Sequence, residues 1–306
     1  MQSVIDGARS WRGVFSALSV MALLLCLPRA WAAERVALVI GNSQYMHTGP
    51  LSNTKNDASD VAKALEARGF SVEAPLLDAS KTAMDEALAR FARRAVGAEQ
   101  AVVFFAGHGI EVAGQNYLLP VDAELATSRT VEFEAVKLSS VLNAVGGARQ
   151  FGMVVLDACR NNPFVPRLAA SDPVWASRSV DRGLARIEPE GNVLVAYAAE
   201  AGTTAADSAG AGARNSPFTV ALLEALRAPP KDVRLMLGGV RDRVMAMTAS
   251  GQKPFTYGSL GGDEVVLGQV SAPRRIEAEP VRPRPDPQPS PPAGSPPEAV
   301  AVINAP

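Results

Sequence analysis

The sequence has few of the residues that bind zinc or form disulfides, with two cysteines and two histidines among 306 residues. Zinc sites need several such ligands at short spacing, and His47 and His108 are far apart. The sequence therefore predicts no zinc site and assigns no residue to a metal. It also lacks an excess of either charge, with 30 basic and 31 acidic residues, which excludes the basic footprint of a nucleic-acid-binding protein.

The N-terminus has the pattern of a targeting segment. Two arginines precede an apolar run over residues 14–28, and Ala30 and Ala32 form an A-x-A cleavage motif. We expect residues 1–32 to be a cleaved signal peptide and the mature protein to be exported to a bacterial periplasm. The apolar run is too short for an ordinary spanning helix, so the protein would contact a membrane only if this segment stayed uncleaved.

Removal of the signal peptide would take away Cys26 and leave Cys159 as the single thiol. It could then form no disulfide within the chain, and an unpaired thiol in an exported protein is a candidate reactive group. A free cysteine can also be a small hydrophobic residue that packs in a core, so a structural role stays open. The polar residues around it, Asp157 and the following Arg-Asn-Asn, disfavour that alternative.

The C-terminal residues 271–306 are rich in proline, mixed in charge and almost free of aromatic residues. Such a segment cannot bury enough apolar surface to offset its ordering entropy, so we expect a disordered tail. It would serve as a linker or dock an unknown partner. The chain as a whole is 47% apolar, which supports a sizeable core in one domain over residues 34–270.

Short apolar runs alternate with amphipathic segments within this domain. RVALVIGN, QAVVFFAGHG, FGMVVLDAC and GNVLVAYAA have the composition of buried strands, and apolar residues recur at helical spacing between them. This alternation predicts an α/β fold with a mostly parallel sheet of about six strands and helices on both faces. Ligands bind such sheets at the carboxyl ends of the strands. His108 and Cys159 each follow a predicted strand, so we expect both at the same edge.

His108 lies between two glycines, and glycine there permits unusual backbone angles and close approach of another chain. A thiol beside a histidine can lose its proton to the imidazole, and the resulting thiolate is a nucleophile. His108 and Cys159 are therefore candidates for a catalytic dyad. A hydrogen-bonded histidine in a strand-end turn would give the same local pattern. His47 lies in a polar segment and is expected to be a solvated loop residue.

The segment FFAGHG, with LDACRN placing Cys159 51 residues after His108, resembles the caspase-like cysteine peptidases, the clan of caspases, metacaspases and paracaspases. VALVIGNSQY at the start of the domain and RNSPFTVALLEAL near its end are also similar to this clan, so the resemblance covers about residues 34–270. The acid two residues before the cysteine is similar to the metacaspase pattern, nearest to bacterial metacaspase-like proteins. The resemblance implies a caspase-like three-layer sandwich.

The resemblance also implies roles for individual residues. Cys159 would attack the scissile carbonyl, His108 would act as general acid and base, and the backbone N–H groups of Gly109 and Cys159 would form the oxyanion hole. Asp57 and Asp157 would line an S1 pocket that accepts arginine or lysine and rejects aspartate. Asp57 could instead be a helix N-terminal charge. The implied function is a cysteine-type endopeptidase that cleaves protein or peptide substrates after basic residues.

Two positions depart from the family pattern: Ala106 stands where metacaspases often have serine, and Thr54 where they often have cysteine. No calcium ligands can be assigned, so calcium stays open as an activator. Two other functions stay open as well: a catalytically weak caspase-like module that acts in protein interaction or regulation, and a cysteine peptidase of the legumain or gingipain type. The stretch 165–191, expected to be a loop, contains arginines that a basic-specific enzyme could cut in its own chain.

Overall fold

The computed structural model describes most of the chain between residues 34 and 268. The described stretches are 34–159, 164–171, 184–185, 187–200, 212–258 and 260–268. The predicted signal peptide, 1–32, and the predicted tail, 271–306, lie outside them and stay predictions. No helix in the described stretches is both long and apolar enough to cross a membrane.

A mostly parallel sheet forms the centre of the domain. The described stretches contain nine strands: β1 (Arg35–Gly41), β2 (Ser71–Val72), β3 (Leu76–Leu77), β4 (Gln100–Val112), β5 (Gln115–Leu118), β6 (Val136–Lys137), β7 (Phe151–Cys159), β8 (Val193–Tyr197) and β9 (Phe255–Gly258). Six of them are ordered β2-β1-β4-β7-β8-β9, and within this order β9 alone runs antiparallel to its neighbour. β3 pairs with β1, whereas β5 and β6 form an antiparallel extension beside β4.

Helices connect most of these strands. The described part of the chain contains seven: α1 (Thr54–Ala67), α2 (Lys81–Ala95), α3 (Val131–Glu134), α4 (Leu138–Val145), α5 (Val165–Ser171), α6 (Pro217–Arg227) and α7 (Val233–Met247). Local signals mark the ends of two of these helices. The Ser80 side chain caps α2 by accepting a hydrogen bond from the backbone N–H of Ala83, and Gly69 follows α1 with a φ of +81°, the left-handed conformation that ends many helices.

Alternate side chains of the central strands pack against different helices. Val102 and Phe104 of β4 belong to a buried cluster that includes apolar residues of α1, α6 and α7. Val103 and Phe105 belong to a second cluster with residues of α2 and α4. The predicted α/β three-layer sandwich is therefore confirmed, with helices covering both faces of the sheet.

The carboxyl end of β4 differs from the prediction. We expected His108 just past the end of a strand, but β4 continues to Val112 and forms a hairpin with β5. The two turn residues, Ala113 and Gly114, have φ values of +52° and +79°, the left-handed backbone that suits a tight hairpin. Neither Asn-Gly nor Asp-Gly marks this turn, so the sequence did not indicate it.

A second difference lies after β7. The stretch expected to be a loop from residue 165 begins instead with α5, in which Arg167 donates a hydrogen bond of 2.9 Å to the backbone carbonyl of Glu124. The other arginines of this stretch lie outside the described residues, so the hypothesis that the enzyme cuts its own chain there stays a prediction.

Candidate active site

His108 and Cys159 occupy paired positions on the two central strands. β4 and β7 run parallel, and their register extends from Gln100 opposite Phe151 to His108 opposite Cys159. β1 stops pairing with β4 earlier, at Ala106, so His108 lies beyond the end of β1. The backbones of both residues are thus adjacent at the carboxyl edge of the parallel sheet. The Cys159 side chain lies outside the described part of the structure, and its role as nucleophile stays a prediction.

The imidazole of His108 is buried beside a tyrosine. His108 is 4% exposed, and neither nitrogen of its ring has a hydrogen-bond partner among the described residues. The ring of Tyr45 packs against it with a centroid distance of 4.5 Å. The backbone N–H of His108 donates to the Tyr45 hydroxyl at 2.7 Å, and that hydroxyl donates to the carbonyl of Leu119 at 3.3 Å. Tyr45 thus holds the backbone and one ring face of His108.

Tyr45 also explains the glycine that precedes the histidine. A Cβ atom at Gly107 would lie 2.6 Å from the Tyr45 hydroxyl oxygen, which is too close for any side chain. Tyr45 lies in the polar segment after β1, and no motif in the sequence singled it out. The one hint in the sequence was the residue type, because a buried tyrosine usually has a hydrogen-bond partner for its hydroxyl. His47, two residues further on, is exposed as predicted.

Burial lowers the pKa of His108 to about 4, because removal from water disfavours the charged imidazolium. The side chain is therefore neutral at pH 7 and can accept a proton. A neutral imidazole at a sheet edge is the form that a general base requires.

The depressed pKa predicts a specific pH dependence of stability. Between pH 6.5 and about 4 the unfolded chain binds a proton at His108 and the folded chain does not, so lowering the pH favours unfolding. The wild type should lose up to about 3 kcal/mol more of its free energy of unfolding than His108→Gln across this range. Urea titrations of both proteins at several pH values measure the difference. Parallel pH profiles for the two proteins would contradict the depressed pKa.

Gly109 lies within β4 and is covered by a segment that follows α5 in the chain. The side chain of Leu184 is so near that a Cβ atom at Gly109 would lie 2.9 Å from its Cδ2. The carboxamide of buried Asn116, on β5, donates to the carbonyl of Ala185 at 2.7 Å and accepts from its N–H at 2.6 Å. Residues 184–185 are thereby held against the β4–β5 hairpin. Leu184 contacts Gly109, the residue that follows His108. No sequence pattern indicated this contact.

The two predicted S1 acids meet at the start of α6. Asp157, on β7, is 7% exposed and accepts hydrogen bonds from the hydroxyls of Ser216 and Thr219, the latter at 2.7 Å. Asp57, on α1, is 1% exposed. It accepts from the side-chain amide of Asn215 at 3.0 Å and from the backbone N–H of Ser216 at 3.1 Å. The structure thus brings acids from two distant elements to the same residue, Ser216.

Ser216 is also the N-cap of α6. Its hydroxyl accepts a hydrogen bond of 2.9 Å from the backbone N–H of Thr219, and Pro217 occupies the first helical position. Ser-Pro before an apolar periodic segment is a helix-start signal, so the sequence could have indicated this cap. The N-terminus of a helix carries a partial positive charge, which favours carboxylates beside it.

A surface ion pair holds residues 214–216, the segment before α6, against α1. The guanidinium of Arg214 donates to both carboxylate oxygens of Asp60, at 2.8 and 3.1 Å, and this contact lowers the pKa of Asp60. The side chain of Asn56 donates to the backbone carbonyl of Arg214 at 3.2 Å. Residues 214–216 are therefore held along α1, which keeps Ser216 beside Asp57.

The segment after β1 is organised by a fully buried asparagine. The Asn42 side chain donates to the carbonyl of Leu119 and accepts from the N–H of Ala79, both at 2.9 Å. Its backbone carbonyl accepts from the hydroxyl of Thr54, also at 2.9 Å. Thr54, one of the two departures from the family pattern, thereby joins α1 to this segment. Ala106, the other, is fully buried in β4.

Among the described residues, no group of three or more histidine, cysteine, aspartate and glutamate side chains could hold a metal ion. A calcium requirement is therefore a question for experiment.

Comparison with known proteins agrees with this geometry. The model of the Caspase domain family matches residues 34–263, about three quarters of the chain. No curated protein matches it. A Caspase domain makes the chain a candidate cysteine peptidase, and a peptidase of this kind binds protein substrates. With the matched region spanning the whole sheet and the strands that carry His108 and Cys159, the chain belongs to the caspase domain family.

Proposed function

We propose that this protein is a cysteine endopeptidase of the metacaspase-like type that cleaves after arginine or lysine. The observation that carries the proposal is the register of the two central strands, which pairs His108 with Cys159 at the carboxyl edge of the sheet. The buried imidazole is also neutral at pH 7, so it can take the proton of a thiol, and the negative charge of a neighbouring thiolate would raise its low pKa and make it a stronger base.

The proposed reaction divides peptide hydrolysis into two steps. His108 takes the proton of the Cys159 thiol as the sulfur attacks the scissile carbonyl, and then donates that proton to the leaving amine. The product is an acyl-enzyme thioester. His108 next takes a proton from water, which attacks the thioester, and the thiol recovers the proton when the acid product leaves. No metal or cofactor enters either step.

The proposed oxyanion hole uses the backbone N–H groups of Gly109 and Cys159. Each donor of this kind contributes about 3–4 kcal/mol to the stabilisation of the transition state. Gly109 follows His108 directly on β4, and its lack of a side chain accommodates Leu184 at close range. The proposal requires both donors to lie beside the dyad. Gly109 directly follows His108, whose register partner on β7 is Cys159, and this supports the requirement.

The proposed S1 pocket depends on Asp57 and Asp157. Both acids are buried, and both are held by hydrogen bonds at the start of α6. Two carboxylates removed from water attract a cation strongly, and they exclude a substrate aspartate by repulsion between like charges. Arginine suits such a pair best because its guanidinium donates to carboxylates in a bidentate geometry.

Export to the periplasm through residues 1–32 is part of the proposal. The N-terminal sequence of the protein isolated from its native host tests this directly. A mature chain that begins at Ala33 supports a cleaved signal peptide, and a chain that begins at Met1 in the membrane fraction contradicts it.

Fluorogenic peptides with arginine, lysine or aspartate at P1 test the enzymatic proposal. The folded protein, assayed with and without calcium, should cleave the arginine and lysine peptides and leave the aspartate peptide intact. Cys159→Ala should abolish this turnover. A protein with no thiol-dependent turnover, and with no labelling by an electrophile that carries a basic P1 residue, would support the catalytically weak interaction module instead.

A further inference from the structure

We propose that Ser216 is a positioning residue that makes the S1 pocket prefer arginine over lysine. This inference rests on the proposed function, since it concerns how the two acids of that pocket are held. Ser216 does not contact the reacting atoms in this proposal. It acts through Asp57 and Asp157.

Ser216 connects three parts of the fold through hydrogen bonds in different directions. Its backbone N–H donates to Oδ1 of Asp57 at 3.1 Å, and its hydroxyl donates to Oδ2 of Asp157. The same hydroxyl accepts from the N–H of Thr219 at 2.9 Å. Ser216 is 2% exposed, so these bonds do not compete with bulk water. A single residue thereby bridges α1, β7 and α6.

The backbone around Ser216 makes this bridge rigid. Ser216 has φ and ψ of −63° and 157°, the extended conformation of a helix cap, and Pro217 follows it. Proline fixes its own φ and restricts the residue before it to extended conformations, which matches this geometry. The direction of the Ser216 N–H and hydroxyl is therefore determined by the start of α6. The distance between the two carboxylates depends on that direction.

Arginine and lysine make different demands on a pair of carboxylates. The guanidinium is planar and presents its donors in a fixed fork, so its binding depends on where the acceptor oxygens lie. The lysine ammonium is compact and has rotatable donors, so it tolerates carboxylates that shift. Loss of the Ser216 hydroxyl would leave both charges in place but release Asp157 from one of its partners. We expect that change to weaken arginine binding more than lysine binding.

The competing explanation is that Ser216 only caps α6. Ser80 is a matched control for that explanation, because its side chain caps α2 on the opposite face of the sheet in the same way. Thr219 offers a second comparison. Its hydroxyl donates to the same Asp157 oxygen at 2.7 Å, and Thr219→Val removes that bond while the cap at Ser216 remains.

The experiment compares wild type with Ser216→Ala, Thr219→Val and Ser80→Ala. Each protein is assayed for kcat and KM on two peptides that differ only in arginine or lysine at P1, and its Tm is measured. Ser216→Ala should raise KM for the arginine peptide about tenfold with kcat changed less than about threefold, as expected when one hydrogen bond to a charged group is lost. The ratio of kcat/KM for arginine over lysine should fall about fivefold to tenfold.

The controls separate positioning from capping. Ser80→Ala should lower Tm by about 2–4 °C, the usual effect of a lost cap in a domain of this size. Ser216→Ala should lower Tm by more, because it also removes a hydrogen bond to a buried carboxylate. Only Ser216→Ala and, more weakly, Thr219→Val should change the arginine-to-lysine ratio. If Ser216→Ala proves too unstable to assay, Thr219→Val carries the same test.

Three results would overturn the inference. An unchanged arginine-to-lysine ratio in both Ser216→Ala and Thr219→Val, with an active wild type, rejects the positioning role and leaves the proposed function intact. An equal change of that ratio in Ser80→Ala shows that loss of stability explains the effect. A wild type that cleaves neither peptide rejects the proposed function, and the role of Ser216 with it.

Discussion

Replacing His108 by glutamine is expected to lower kcat/KM for an arginine-P1 peptide by about 10³–10⁴-fold, because the thiol then has no base to take its proton and the leaving amine has no acid. Cys159→Ala should remove a similar or larger share of the activity. Residues of one catalytic unit are strongly non-additive, so the double variant should be no worse than Cys159→Ala alone. Steady-state kinetics of the three variants measure these losses.

His47→Gln is the matched control for the histidine variant. It replaces the only other histidine of the sequence, which is exposed in the segment after β1. Its kcat/KM should stay close to that of the wild type. Full activity in His108→Gln, with normal folding by circular dichroism, would remove His108 from the proposed mechanism and leave the paired register as a feature of the fold.

Replacing Asp157 by asparagine should lower the preference for an arginine-P1 peptide over the matching glutamine-P1 peptide by about 10²-fold, as expected when one partner of a buried charge pair is neutralised. Asparagine keeps the size of aspartate and can still accept from the hydroxyls of Ser216 and Thr219, so the fold around α6 should persist. The loss should appear mainly in KM, because Asp157 binds the substrate side chain and not the reacting carbonyl. Kinetics on both peptides give the ratio.

Glu224→Gln provides the control for this charge removal. Glu224 is an acid on α6 that forms an exposed ion pair with Arg243, at 2.8 Å, and exposed pairs contribute little to stability. Its P1 preference should match that of the wild type. If Asp157→Asn slows both peptides equally, Asp157 supports the strand end or the α6 cap, and the basic P1 residue is recognised elsewhere.

The central strands were predictable because they are encoded locally. A short run of β-branched and aromatic residues such as VVFF is typical of a central strand buried on both faces between helix layers, and β4 confirms this. The proximity of His108 and Cys159 could also be predicted, because parallel strands bring their carboxyl ends to one edge of the sheet. The hairpin that extends β4 was missed because its turn, Ala113-Gly114, lacks the usual Asn-Gly signal.

Residues that act through long-range contacts could not be predicted in this way. Tyr45 packs on His108 across the sheet edge, and Asn116 binds a backbone segment 69 residues away in the chain. Their identities are compatible with many environments, so no local pattern distinguishes them from ordinary polar-segment residues. Their roles could be identified only from interatomic distances in the folded structure.

The sequence by itself determined the alternation of strands and helices and the two residues proposed for the dyad. These follow from periodicity, composition and a pair of motifs that can be read locally. Only the tertiary structure decided that Asp57 and Asp157 meet at Ser216, through contacts that span 159 and 59 residues of the chain. Such contacts depend on how α1, β7 and α6 pack against each other, and packing is a property of the whole core.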